Sequence, residues 1–211
     1  TACLLSAFSG GNFAVGTAYS KTEAAQAAFF GLLVLGEGNT RWALAGIGVS
    51  LLGVLLLSGR FQWADMRKPN RAMWLGLAAG AGFAISAVGF RGASLALDAG
   101  DYLQRAGLTV MASVSLQTLL MGGYLWLLEP GQIRRVMACW RVAVWVGAIG
   151  MVASAGWFTA MTLKNAAVVR AVGQVELLFT VMTSAVLLKE RLGVREYVGI
   201  ALVIGGIWLL V

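Results

Sequence analysis

The sequence predicts an all-α, polytopic helical membrane protein that carries an internal inverted repeat. Three observations lead there. The first is composition: 59% of the 211 residues are apolar and only 12% are charged, with a mean hydropathy of +0.81. Soluble domains average about 25% charged residues, which they need to cover their surface. The second is the length of the apolar runs, which suits helices of about 20 residues. These runs do not alternate as barrel strands do. The third is self-similarity between the two ends of the chain. Long apolar runs with only two prolines also exclude disorder and collagen-like architectures.

Seven spans follow in order, at roughly 12–36, 40–58, 72–97, 102–128, 137–163, 166–189 and 194–211, each set by the reach of a bilayer-crossing helix. Turn residues mark the breaks: Gly38-Asn39 after Glu37, Pro69-Asn70 in the longest loop, and Pro130-Gly131 after Glu129. The short loops make neighbouring helices antiparallel. Residues 1–9 are too short to span and carry no basic leader, so the chain reads as beginning inside a helix. The 28 glycines cluster within spans, as at Gly76/Gly80, Gly82/Ser86, Gly46/Ser50 and Gly205-Gly206. Small residues spaced by four let membrane helices approach closely.

Shifting residues 14–57 by 153 aligns them with 167–210 without a gap. Eleven of 44 positions are identical: Ala14/Ala167, Val15/Val168, Ala18/Ala171, Glu23/Glu176, Leu35/Leu188, Glu37/Glu190, Gly46/Gly199, Ile47/Ile200, Gly53/Gly206, Leu56/Leu209 and Leu57/Leu210. Aligned leucines are cheap in an apolar chain, whereas two glutamates at the same interval are not. Four other spans separate the equivalents 12–36 and 166–189. An odd number of crossings reverses direction, so the two units are inverted in the membrane. Inverted repeats are a signature of secondary transporters. With five spans per unit, the intact protein has ten, and this chain holds seven plus part of another.

The segment Arg170-Ala-Val-Gly-Gln-Val-Glu176-Leu-Leu-Phe, followed by Leu187-Leu-Lys-Glu190-Arg-Leu and Gly199-Ile-Ala-Leu-Val-Ile-Gly-Gly, resembles the C-terminal unit of EamA-type transporters of the drug/metabolite transporter superfamily. Thr17-Ala-Tyr-Ser-Lys-Thr-Glu23 to Gly36-Glu37 is similar to that family's fourth and fifth helices. The family pattern often places proline after the glutamate, where this chain has Ala24 and Leu177. The resemblance implies an inverted 5+5 helix repeat, N-terminally truncated here: residues 1–58 are the remnant of the first unit, 59–71 a linker and 72–211 the second unit.

Ionisable residues at membrane depth are functional candidates, and Lys21, Glu23, Arg91, Arg170 and Glu176 qualify. Lys21 and Glu23 are two apart and do not pair within their own helix. Tyr19, Glu23, Gln26 and Phe30 form one stripe, Arg170, Gln174 and Leu177 a second, and Gly173, Glu176 and Thr180 a third. Polar groups aimed at several neighbours suit a helix lining a shared interior. The expected substrate and proton pathway therefore comprises Glu23, Glu176, Lys21, Arg170, Gln174, Tyr19 and Gln26, with Trp157, and Asn165 just beyond it, lining a cavity. A competing assignment has both glutamates paired permanently with Lys21 and Arg170, or capping broken backbone. Arg91 reads as snorkelling to the interface, and Glu37 and Glu190 as helix-terminus residues. Trp42, Trp63, Trp74, Trp140 and Trp208 suit an aromatic belt. Ser113, Gln117 and Thr118 suit interhelical hydrogen bonding.

Absences bound the chemistry. The chain has no histidine, and Cys3 and Cys139 form neither a CxxC site nor a disulfide framework. No cofactor, metal or catalytic residue is expected. The formal charge of +7 reads as basic loops at a lipid surface rather than nucleic-acid binding. One side of the membrane would carry Arg60, Arg67, Lys68, Arg71, Arg134, Arg135, Arg141, Lys189, Arg191 and Arg195, against Arg41, Arg105 and Lys164 on the other. The positive-inside rule makes the first side cytoplasmic and the C-terminus external. The resemblance instead implies both termini inside a bacterial cytoplasmic membrane. It also implies an exporter of small metabolites such as amino acids or related amphipathic compounds. With no GxxxxGK(S/T) loop, protons are the candidate coupling ion. The alternatives are an intramembrane enzyme, for which only Glu23 and Glu176 offer acid–base groups, and a structural membrane subunit.

Overall fold

A computed structural model of the chain describes residues 13–57, 71–98, 100–129, 131–187 and 193–210. Cys3, Trp63, Pro69-Asn70, Pro130, Glu190 and the loop cations Arg60, Arg67, Lys68, Lys189 and Arg191 lie outside the described residues, as do residues 1–9, 59–70 and 211. Among the described residues every regular element is a helix: α1 (Phe13–Ser20), α2 (Glu23–Leu35), α3 (Arg41–Leu57), α4 (Arg71–Leu95), α5 (Tyr102–Leu128), α6 (Gln132–Ala138), α7 (Trp140–Leu163), α8 (Ala166–Gly173), α9 (Glu176–Leu187) and α10 (Val194–Leu210). Four stretches among them are long and apolar enough to cross a bilayer: Arg71–Leu95, Tyr102–Leu128, Trp140–Leu163 and Ala166–Thr183. Arg41–Leu57 is a shorter apolar helix, at the lower end of spanning length. The expected seven spans thus correspond in place to helices, while length alone qualifies these four.

Three expected spans are not continuous helices, two of them repeat equivalents. The first breaks at Lys21-Thr22 and the second at Gln174-Val175. The shift of 153 carries one break onto the other; it carries the end of α1 onto the end of α8 and the start of α3 onto the start of α10. The span expected from 137 is also interrupted, at Cys139, between α6 and α7.

Local chemistry places the ends. Gly36, at φ 67°, closes α2, and the Glu37 N–H donates to the Gly31 carbonyl at 3.2 Å, a Schellman closure. Thr40 Oγ1 accepts from the Ala43 N–H at 3.1 Å and starts α3. Asp101 and Gln104 form a capping box on α5.

The chain packs as two compact units, residues 1–89 with 165–211, and residues 90–164. In the first, the core is made mostly of alanine: Ala24, Ala27, Ala28, Ala84, Ala167 and Ala171, with Ile47, and Phe30 and Leu210 packed against them. Small side chains bring helix axes close, which is how helices associate without a hydrophobic driving force between them. The most extensive helix pair is α3 with α10. A Cβ on Gly46 would lie 2.7 Å from the Gly206 carbonyl, and one on Gly53 would lie 2.7 Å from the Gly199 carbonyl. Gly46 and Gly199 are repeat equivalents, as are Gly53 and Gly206, so each contact is the image of the other. Reciprocity of this kind marks a two-fold relation. Because 46 meets 206 while 53 meets 199, the helices run antiparallel, as inverted repeats require.

Gly76 and Gly80 are packing sites too, against the Gly16 carbonyl and the Ser20 carbonyl respectively. Gly82 and Gly205 are not: nothing lies within 4 Å of a Cβ at either.

In the second unit, the end of α4 is pinned to the end of α7. Phe90 and Phe158 stack with centroids 4.3 Å apart, and the buried hydroxyls of Ser94 and Thr162 meet at 2.7 Å. Arg91 does not snorkel as expected. It donates to the carbonyls of Met161 at 2.8 Å and Lys164 at 2.7 Å, the orphan acceptors at the C-terminal end of α7 where a cation is favoured. Most of α5 and α7 is exposed apolar surface. Thr118 bonds the Val114 carbonyl of its own helix at 2.8 Å rather than a neighbour, and Gln117 is exposed. Trp42, Trp74, Trp140 and Trp208 are all exposed.

Gly206→Ala is expected to destabilise the first unit by about 1–3 kcal/mol, an overpacking cost, because its Cβ would sit 2.5 Å from the Ser50 backbone nitrogen. Gly147→Ala, with nothing within 4 Å, carries no such cost and is expected to leave stability unchanged or raise it by up to about 1 kcal/mol, the helix preference of alanine over glycine. Thermal unfolding of both variants in detergent measures the contrast.

Candidate functional site

The site forms where the two broken helices face each other. Neither break contains proline. At the first, the Thr22 N–H donates to the Tyr19 carbonyl at 3.2 Å, a tight i→i−3 bond. The Thr22 hydroxyl adds a bond to the same carbonyl at 2.6 Å, and Ser20 Oγ bonds the Thr17 carbonyl at 2.8 Å. At the second, Gln174 N–H→Ala171 O, Val175 N–H→Val172 O, Leu177 N–H→Gln174 O and Leu178 N–H→Val175 O, at 2.9–3.2 Å, repeat the same tightening. Such 3₁₀ turns, helped by hydroxyls that compete for backbone, are a recognised cause of helix interruption.

Each break is satisfied by the other. Gln174 is 2% exposed. Its Nε2 donates to the Lys21 carbonyl at 3.1 Å, and its Oε1 accepts from Ser50 Oγ at 2.9 Å. Ser50 is fully buried on α3, opposite Gly206 of α10. One amide therefore joins a helix break in one repeat, a helix break in the other, and the central helix pair. Positions 21 and 174 are themselves repeat equivalents.

The charged residues cross in the same way. Lys21 Nζ pairs with Glu176 Oε1, and Arg170 Nη1 approaches Glu23 Oε2 at 3.5 Å. Glu23 and Glu176 are the first residues of α2 and α9, where the half-helix dipole favours a carboxylate. The two pairs differ in exposure. Arg170 and Glu23 are 16% and 12% exposed, whereas Glu176 is 60% exposed against 17% for Lys21. Arg170 also lies over the Phe83 ring, 5.7 Å from its centroid, a cation–π distance, and donates to the Phe83 carbonyl at 3.4 Å.

The structure thus brings together Lys21, Glu23, Arg170, Gln174 and Glu176. Gln26 sits beside them, donating to Thr22 Oγ1 at 2.8 Å and to the Leu77 carbonyl at 3.4 Å. Tyr19 is half-buried against Gly76. The break puts Tyr19 on α1 and Glu23 on α2, so the expected continuous stripe from Tyr19 to Phe30 is divided. Trp157 belongs to the second unit and is half-buried on α7. Asn165 caps α8, its Oδ1 accepting from the Ala167 N–H at 2.9 Å. Ser50 and Thr22 were not apparent as site residues from sequence. The available signal was Ser50 within the Gly46/Ser50/Gly53 face of a repeat-equivalent helix. Among the described residues no cluster of His, Cys, Asp and Glu is arranged to hold a metal ion.

Comparison with known proteins adds the family. The EamA-like transporter family matches residues 70–211. No curated protein matches the chain in sequence. A protein of known crystal structure is similar over 98% of this chain and 71% of its own, with a TM-score of 0.65 and 16% identity. At that identity the likeness speaks for the fold.

Gln174→Ala is expected to cost about 1–3 kcal/mol for each polar group left unpaired, the Lys21 carbonyl and the Ser50 hydroxyl. Ser50→Ala leaves Gln174 its other bond and costs less. Glu23→Ala, which removes the carboxylate beside a largely buried arginine, is expected to cost about 3 kcal/mol. Glu176→Ala, at the exposed pair, is expected to cost about 1 kcal/mol. Chemical or thermal unfolding of the four variants in detergent ranks them.

Proposed function

The chain belongs to the EamA-like transporter family, and from that premise we propose that it is a secondary transporter of small metabolites. It works by alternating access, one repeat rocking against the other around a midplane site. The observation that carries this reading is the pair of repeat-equivalent broken helices whose polar residues meet across the repeat. Discontinuous helices place half-helix N-termini and freed backbone at membrane depth, where a substrate is bound without lipid contact. Here the positive end of each half-helix carries a glutamate.

The direction is export from a bacterial cytoplasmic membrane, and the cargo is an amphipathic compound such as an amino acid. An exposed carboxylate beside a mostly buried ammonium presents complementary charges to such a molecule. Glu176 is the proton carrier: it is the carboxylate open to water, and its exchange between Lys21 and a proton couples flux to a gradient. Lys21, Arg170 and Glu23 hold its surroundings, while Gln174, Tyr19 and Gln26 shape the interior. Protein-bound cofactors have no part in this scheme, and the protein acts as a carrier rather than an enzyme.

Purified protein in vesicles is expected to move a labelled amino-acid panel when a proton gradient is imposed. Glu176→Gln is expected to lower gradient-driven flux about tenfold or more, the equivalent of at least about 1.4 kcal/mol on the limiting step. Unchanged flux in that variant removes Glu176 as the carrier. Conversion of the panel to new products without movement favours an intramembrane enzyme instead.

A further inference from the structure

The two ion pairs are not images of each other. Under the shift of 153, Glu23 corresponds to Glu176, Arg170 to Thr17, and Gln174 to Lys21. Glu23 engages position 170, the equivalent of 17. Glu176 engages position 21, the equivalent of 174. Positions 17 and 21 lie four apart and share a face across the end of α1, as 170 and 174 do across the end of α8. Each broken helix therefore offers two rungs, and the two glutamates stand on opposite ones, a helical turn out of register.

The rung that the asymmetry leaves vacant is Thr17. Its hydroxyl is buried and, among the described residues, has no hydrogen-bond partner, although its carbonyl is used by Ser20 Oγ and the Lys21 N–H. A buried hydroxyl without a partner is costly and calls for an explanation. A threonine in a helix ordinarily satisfies itself on the carbonyl a turn earlier, as Thr109, Thr162 and Thr180 do here. Thr17 does not, and it lies one turn, about 5.4 Å, from the lysine that holds Glu176.

We infer that Thr17 is a second docking position for Glu176, which steps one turn along the first broken helix, from the Lys21 ammonium to the Thr17 hydroxyl, as the repeats exchange conformations. Glu23 steps in the opposite sense, from Arg170 to the Gln174 amide. Each repeat then holds the arrangement that the other holds in the structure described. One-turn ratchets of this kind are an established mode of switching between packed states. The inference rests on the alternating-access reading for its occasion. The step itself is a claim about register, and can be measured without transport.

The experiment uses the protein in vesicles, in a Cys3→Ser, Cys139→Ser background, with Thr17→Cys and Glu176→Cys introduced together. Copper phenanthroline serves as oxidant. A disulfide forms only when the two Cα atoms come within about 7 Å with facing Cβ vectors. Ala18→Cys with Glu176→Cys is the reference, since position 18 points about 100° round the same helix. The Thr17 pair is expected to cross-link at several times the reference yield. A yield no higher than the reference overturns the step.

Thr17→Val alone guards against misfolding of the paired variant. It is expected to match or exceed the wild-type unfolding temperature, because the hydroxyl it removes has no partner in the resting state. A clear fall overturns the premise. Cross-linking in vesicles whose wild-type protein moves none of the amino-acid panel upholds the step and removes the transport reading.

Discussion

A helix that breaks inside hydrocarbon exposes backbone groups that no water can reach, and they must be satisfied by the protein itself. This constraint organises the first unit. The Lys21 carbonyl is met by Gln174, Gln174 by Ser50, and Ser50 lies on the helix that crosses its repeat equivalent through paired glycines. If any link is removed, a polar group is stranded where stranding is most expensive. The requirement explains why a glutamine occupies a position that is 2% exposed. It also explains why the neighbouring core consists largely of alanine: only small side chains let two broken helices and a central pair approach closely enough for one amide to reach both sides.

The same breaks place the charges. A continuous helix would have carried Glu23 and Glu176 in mid-span, away from either end of a helix dipole. The interruption makes each the first residue of a new helix, at the positive end of its dipole. The cations then divide them. Arg170, with its fork and its aromatic neighbour, suits the drier pair. Lys21, a compact ammonium on a flexible stem, suits the pair that faces water and exchanges partners.

Much of this was legible in the sequence. The fold class followed from composition and run length, and the gap-free offset of 153 carries the helix boundaries of one repeat onto the other. The charged residues that meet were all identified as candidates. That Lys21 would not pair with Glu23 followed from their two-residue spacing, and each indeed pairs across the repeat. The breaks were not legible, because the usual marker, proline after the glutamate, is replaced by Ala24 and Leu177. What interrupts the helices is i→i−3 bonding, supported by serine and threonine hydroxyls at the first break and made of backbone bonds alone at the second, which leaves no distinctive composition. Arg91 was misjudged for a related reason. Its place near a span end suggested an interface, while its partners are carbonyls at the end of α7, seventy residues away and invisible to any local pattern.

Symmetry gives the divergence between the repeats its meaning. Two identical halves related by an inverted two-fold would hold inward and outward states at equal free energy, since each state is the other viewed from the opposite side. Any bias must come from positions where the halves differ. The glutamates and the crossing glycines are retained in both halves, which preserves the framework that exchanges. The differences fall on the rungs: threonine against arginine at 17 and 170, lysine against glutamine at 21 and 174. In the state described, each carboxylate stands on the rung that supplies a cation. In the exchanged state each would stand on a neutral one. A difference of about 1.4 kcal/mol already shifts such an equilibrium tenfold, and two lost ion pairs exceed that comfortably unless positive charge arrives from elsewhere. On the alternating-access proposal, a proton or the cationic end of a substrate supplies it. On that proposal, the divergence at four side chains is what makes return through the other state conditional on cargo.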